Sequence, residues 1–317
     1  MIVTGKLSTY LAGFIATALI IGSIDWYAGW SVSVANCPVP GDGQFLAVCN
    51  NDHFGDYEHG AYLYGFEQEA IASLTRAEVV VAGDSRTQFG FSTAAVRDYF
   101  ANHKVPYHLL ALGYSSRSPM ALAILSRHHV HPKVLIINAQ PFFSDVGAPL
   151  DVELLDGGFP EWLGYARKSW FQSTHAWFCR WLPSTCRPPV GGVFRSEATG
   201  EWIWQRVLMA PETAVAFGNY SLTEEAIPDM TRLAAEFVSR LQIDPYCVIL
   251  TAVPANAADA ERVEGEVAHS IGATAIIPDV AGLMSLDGWH LNAESAERWS
   301  SAFVRMADDR ITECLAR

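Results

Sequence analysis

Three valines in a row, Val79-Val80-Val81, run into Ala82-Gly83-Asp84-Ser85. β-branched residues at consecutive positions make a strand that is apolar on both pleat faces. Such a strand suits a parallel sheet covered by helices on each side. Gly83 permits a sharp turn out of the strand, and Phe89, Phe91, Ala94, Ala95, Val96 and Tyr99 follow at roughly helical spacing. Ser85 is therefore predicted at the carboxyl end of a strand and close to a helix start. Open α/β sheets bind ligands at that edge, and backbone N–H groups there can face an oxyanion. The same residues also read as an ordinary strand–turn–helix joint with an Asp-Ser cap.

The alternation continues along the chain. Tyr62–Leu74 has a helical pattern before the first strand at Glu78–Ala82. A helix over Phe91–Asn102 precedes a strand over Tyr107–Leu112, and a helix over Ser118–His128 precedes a third strand over Lys133–Asn138. After an interruption, helix Met230–Leu241 leads to strand Cys247–Val253. Helix Ala257–Ser270, a short strand Thr274–Pro278 and a closing helix Ala293–Ile311 complete the pattern. Strands alternating with helices imply a parallel sheet with right-handed crossovers. The interruption, about 144–229, is too long for a plain loop. It is expected to be mainly helical and carries Trp162, Trp170, Trp177, Trp181, Trp202 and Trp204. Three readings suit those rings: the core of a helical subdomain, stacking on sugars, or contact of Glu161–Leu182 with a membrane.

At the other end, Leu7–Trp30 holds Asp25 as its only charged residue and finishes in Trp26, Tyr27 and Trp30. The stretch is long enough to span a bilayer, and the aromatic end suits an interface. Lys6 precedes it and the next positive residue is Arg76. That asymmetry places the N-terminus in the cytoplasm and the remainder outside, as a single-pass protein of the inner membrane with its C-terminal domain in the periplasm. A cleaved signal ending near Ser33-Val34-Ala35 is the rival reading. Six cysteines fit an exported chain. Cys37 and Cys49 bracket one turn-rich loop, Cys179 and Cys186 another, and Cys247 and Cys314 either pair or stay free. A net charge of −13 argues against nucleic acid as partner. No Cys/His spacing suggests zinc, the cluster His128, His129 and His131 falls at a helix end, and no metal or cofactor is expected. The resulting division is an anchor at 1–30, a connector with a first helix at 31–77, and an α/β domain at 78–317.

The chemistry is spread over distant segments. Asp287 and His290 stand three apart in Leu286-Asp287-Gly288-Trp289-His290-Leu291-Asn292, just before the last helix. That spacing lets the carboxylate take one imidazole N–H while the other ring nitrogen faces outward. A serine hydroxyl needs such an oriented base before it can act as a nucleophile. With Gly83-Asp84-Ser85 after the first strand, Gly113 after the second, Asn138 after the third, and Asp-x-x-His near the C-terminus, the chain resembles the SGNH (GDSL-like) hydrolases. The resemblance covers about 78–142 and 246–311, and implies a flavodoxin-like three-layer α/β fold with a central parallel sheet. It makes Ser85 the nucleophile, His290 the base and Asp287 its orienting partner. The N–H groups of Ser85 and Gly113 and the amide of Asn138 form the implied oxyanion hole. Two positions depart from the family pattern: Ile136 and Ala139 replace the glycine and aspartate of its third block.

Gly-Asp-Ser-Arg-Thr resembles the membrane-anchored branch linked to extracellular polysaccharide acylation, in which Arg86 and Arg117 are candidates to bind substrate. The implied function is a serine esterase or O-acetyltransferase acting on a polysaccharide or acetylated sugar. Its implied partners are a membrane and a multi-spanning O-acyltransferase or polysaccharide synthase complex. The alternative is a non-catalytic anchored subunit of a polysaccharide secretion or acylation complex.

Overall fold

The computed structural model describes residues 10–23, 37–49, 54–113, 116–140, 142–144, 149–181, 191–205, 214–217, 226–254 and 260–317. Five strands form the expected parallel sheet: β2 (Val79–Gly83), β3 (Tyr107–Ala111), β4 (Val134–Asn138), β7 (Val248–Thr251) and β8 (Thr274–Ala275). Their spatial order is β3-β2-β4-β7-β8, and every pairing is parallel. Counted along the sheet's own strands this is 2-1-3-4-5, the flavodoxin-like order with its switch point beside the first strand.

The valine run explains the two cores. Strand side chains alternate between faces, so Val80 and Ala82 enter one apolar cluster and Val79 and Val81 the other. The first cluster is covered by α3 (Gln68–Arg76), α6 (Ser118–Arg127), α9 (Ile227–Leu241) and α10 (Ala260–Ile271). The second is covered by α5 (Ala94–His103) and α11 (Ala293–Leu315), through Phe100, Trp299 and Phe303. The predicted first helix is broken in two. Gly65, at φ +88°, ends α2 (Gly60–Tyr64) before α3 begins, a left-handed conformation that favours glycine.

Among its described residues the interruption is mainly helical, as expected, but it also holds two strands that the sequence pattern did not predict. It supplies α7 (Pro149–Asp156) and α8 (Phe159–Trp181), but also β5 (Gly192–Ser196) and β6 (Trp202–Gln205). These two strands join β1 (Gln44–Val48), from the 31–77 connector, in an antiparallel sheet of order β1-β5-β6. The tryptophans divide accordingly. Trp202 is buried, whereas Trp162, Trp170, Trp177 and Trp181 on α8 are exposed.

This second sheet is tied to the connector by a buried charge cluster. Arg195 on β5 donates from Nη2 to Asp56 Oδ2 at 2.8 Å and also to Glu67 Oε1. It donates from Nη1 to the Asp56 carbonyl. All three side chains are almost wholly excluded from solvent. Two carboxylates on one guanidinium leave an excess negative charge, and Asp56 Oδ1 and Glu67 Oε2 have no donor facing them. Burial pushes the Glu67 carboxyl well above its ordinary range against the pull of Arg195, and the neighbouring Asp56 adds to the rise. The nearby His108, which meets Tyr62 Oη at 2.8 Å, is driven down to about 3 by burial and by Arg195, and is neutral.

An α-helix, α1, covers 10–23, and its side chains are exposed along its whole length. At 1.5 Å per residue the described helical residues span about 21 Å, less than the roughly 30 Å hydrocarbon core. Among the described residues, no helix is long and apolar enough to cross a membrane. The flanks of the expected span (Leu7–Thr9, Trp26, Tyr27 and Trp30) lie outside the described residues, as do Ser33-Val34-Ala35 and Cys186. Cys37 pairs with Cys49 and Cys247 with Cys314. Cys179 is also disulfide-bonded.

Replacing Arg195 with Met should cost about 3–5 kcal/mol in urea unfolding, because buried acidic groups lose their counterion. Glu67, with its folded pKa raised, contributes stability that is complete below its ordinary 4.5 and lost as pH rises through the folded value. Glu67→Gln stays neutral at every pH. The stability of wild type relative to this variant should therefore fall as the pH is taken from 4.5 towards 8.

Candidate active site

Ser85 is the first residue of α4 (Ser85–Phe91), directly after β2. The turn is tight because Gly83 has no side chain. A Cβ there would stand 2.0 Å from Thr87 Oγ1 and 3.0 Å from Asn138 Cβ. Asp84 caps the helix, its Oδ1 accepting the Arg86 N–H at 3.1 Å.

The other half of the site comes from the loop before α11. Asp287 Oδ1 accepts the N–H groups of Trp289 and His290, both at 2.9 Å, which curls the loop back on itself. Gly288 at φ +92° makes that curl possible. Ser285 Oγ accepts the Gly288 N–H at 2.8 Å, and Asn292 caps α11. So held, the loop brings His290 Nε2 to 2.8 Å from Ser85 Oγ, while Nδ1 lies 2.7 Å from Asp287 Oδ2. Burial works to raise Asp287. The hydrogen bonds from the His290 ring and from the Trp289 and His290 amides outweigh it and hold the carboxyl below its usual range. A charged Asp287 fixes the proton on Nδ1 and leaves the Nε2 lone pair for Ser85. Phe89 packs on the imidazole with centroids 4.5 Å apart, and Trp204 packs on Phe89 at the same spacing.

The hydroxyl opens into a cavity of about 440 Å³ whose walls include Val48, Tyr57, Glu58, Val193, Trp204 and Leu286. Five of these come from the second sheet and the connector, segments that no sequence pattern placed here. The one signal was the Trp202-Ile203-Trp204 alternation, a strand pattern inside a stretch expected to be helical. Glu58 carries the acidic wall and lies 3.6 Å from Lys168 Nζ. A larger cavity, about 850 Å³, lies between the Cys37–Cys49 loop, α3 and α8, but it is not lined by Ser85 or His290.

The other expected residues fare differently. Leu112 donates its N–H to the Gly83 carbonyl at 2.8 Å, so Gly113 stands beside the Ser85 turn at the same sheet edge. A Cβ on Gly113 would fall 2.5 Å from the Tyr57 carbonyl oxygen, so only glycine fits beneath that cavity wall. Asn138 is committed elsewhere. Its Nδ2 donates to Asp84 Oδ1 at 3.0 Å and to the Gln140 carbonyl at 3.4 Å, and its Oδ1 accepts the Val253 N–H at 2.9 Å. It is fully buried and acts as a clamp joining β4, the Ser85 turn and the end of β7. Arg86 is also internal, with Nε 3.4 Å from Asp84 Oδ2. Arg117 bonds the Ser116 carbonyl through Nη1, and its backbone N–H donates to Asp151. Neither arginine lines the Ser85 cavity, so neither is placed as a substrate contact. Of the neighbours cited with Arg117, Tyr114 and Ser115 lie outside the described residues.

Asn138→Ala should lower unfolding stability by about 1–3 kcal/mol, because it strands the buried Val253 N–H and removes a donor from Asp84. A side chain that served only as an oxyanion donor would leave the urea midpoint unchanged. Comparison of the chain with family models, with curated proteins and with solved structures finds no match.

Proposed function

We propose that this chain is a serine esterase or O-acyltransferase of the SGNH type, working through an acyl-Ser85 intermediate. One observation carries the reading: Ser85 Oγ, His290 and Asp287 form an unbroken hydrogen-bonded relay at the rim of a cavity. Residues 205 positions apart in sequence meet within hydrogen-bond distance. A non-catalytic subunit has no need of that contact.

In the first step Ser85 Oγ attacks the ester carbonyl carbon and its proton passes to His290 Nε2. Asp287 stabilises the imidazolium without taking the proton. The N–H groups of Ser85 and Gly113 are the donors left to face the oxyanion once Asn138 is assigned to its clamp. Collapse of the tetrahedral species breaks the bond to the alcohol, which leaves with the proton from His290. Water or a sugar hydroxyl then attacks the acyl-enzyme, with His290 again the base. Water gives an esterase and a sugar gives a transferase.

The substrate class proposed is an acetylated or acceptor polysaccharide, for which the aromatic cavity walls Tyr57 and Trp204 offer stacking surfaces. The apolar N-terminal stretch would hold the domain at the inner membrane, on its periplasmic side, beside a multi-spanning acyltransferase or synthase. Three disulfide-bonded regions suit an oxidising compartment.

Incubation with an aryl acetate should release acetate. Ser85→Ala should reduce the rate at least about 10³-fold, and Asp287→Asn by a comparable factor of about 10³–10⁴ through loss of the correct His290 tautomer. Release that persists unchanged in Ser85→Ala sinks the assignment. An added oligosaccharide acceptor then separates transfer from hydrolysis.

A further inference from the structure

Helix α8 has two faces of opposite character. Tyr165, Phe171, Gln172, His175 and Cys179 are buried against the domain. Phe159, Leu163, Trp170, Trp177 and Trp181 are 70, 50, 50, 61 and 69 % exposed. At 3.6 residues per turn these five point within about 40° of one another, in a stripe roughly 33 Å long. Trp162 stacks on Phe159 at the stripe's edge, with centroids 5.7 Å apart and planes 19° from parallel. Soluble proteins rarely leave so large an apolar patch bare.

Three features of the chain identify what covers it. Helix α1 is a second apolar element exposed over its full length, with Leu11, Phe14, Ile15, Leu19, Ile20 and Ile21 all at least half bare. Two such elements in one chain are served by one apolar phase. The link from α1 re-enters the fold at Cys37, whose carbonyl oxygen lies 3.4 Å from His175 Nε2 on α8 itself. The 24–36 link reaches at most about 45 Å when extended, so whatever holds α1 also keeps α8 close. The composition of the stripe decides between a lipid and a protein surface. A helix partner is met by Leu and Ile at seam positions, whereas tryptophan concentrates at the headgroup layer. Arg167 and Arg180 beside the stripe match the basic edges of interfacial helices.

We propose that α8 lies along a lipid bilayer surface with its aromatic stripe sunk into the headgroup–acyl boundary. This docking does not depend on the chemistry of Ser85. Resting on the proposed membrane anchoring of the N-terminal stretch, it fixes the domain flat against the bilayer, where a tether alone would leave it free to turn.

The test uses the full chain reconstituted in phosphatidylcholine vesicles, with ordinary or brominated acyl chains, and reads tryptophan fluorescence. A variant carrying Trp170→Ser, Trp177→Ser and Trp181→Ser is measured in parallel. Trp26 and Trp30 are common to both proteins and cancel in the difference. The emission lost in the variant should be quenched at least twofold by brominated lipid in the wild type. Equal emission in the two kinds of vesicle overturns the proposal. So does a wild-type dimer in detergent that the variant breaks, since the stripe would then face a second copy. Should the triple variant fail to fold by circular dichroism, Trp177→Phe, which keeps the ring apolar, supplies the same difference signal.

Discussion

Strand β2 is hydrogen-bonded on both sides, and the rest of the molecule depends on that register. Val79–Gly83 aligns with Tyr107–Ala111 on one edge and Val79–Ala82 with Val134–Ile137 on the other. Because the alignment is parallel, all three strands end at the same level. The turn carrying Ser85, the glycine after β3 and the amide closing β4 are thereby collected at one rim. A slip of one residue would exchange the two core faces of β2. It would also put the hydroxyl out of reach of a loop that arrives from the far end of the chain.

The second sheet does for the cavity what the first does for the relay. β1 and β5 contribute Val48 and Val193 to the cavity, and the connector contributes Tyr57 and Glu58. The buried Arg195 group holds that connector in place from behind. Asp56 anchors the segment two residues from Glu58, and the Asp56 N–H donates to the Leu46 carbonyl on β1. A wholly buried ion group is a costly way to join two elements, but it specifies one arrangement of the segment beside Ser85. Stability and site geometry meet at Arg195 rather than at the relay.

The parallel sheet was legible because its strands are buried on both faces and read as continuous apolar runs. The relay was legible because serine, aspartate and histidine have few ways to be useful at a strand end and a pre-helical loop. The antiparallel sheet was not, for a physical reason. Gln44–Val48 and Gly192–Ser196 pair across a long separation, and neither run is apolar throughout. Arg195, the fourth of the five residues of β5, is a charge where a core strand should have none, and its two acidic partners lie outside that strand. Asn138 shows the opposite failure. Its place at a strand end suggested an oxyanion donor, yet its hydrogen bonds go to Asp84, Gln140 and Val253. Arg86, a candidate substrate contact by its sequence, is the buried partner of Asp84. Neighbouring charge, invisible in sequence spacing, decided both.

The order in which the relay's members appear along the chain has a consequence for biosynthesis. A ribosome completes the Ser85 turn early and Asp287 and His290 close to the end, with 205 positions between hydroxyl and imidazole. Any chain interrupted between them carries a serine with nothing to take its proton. A half-made or truncated copy therefore lacks the Ser85–His290 contact, which forms only when that loop closes on the Ser85 turn.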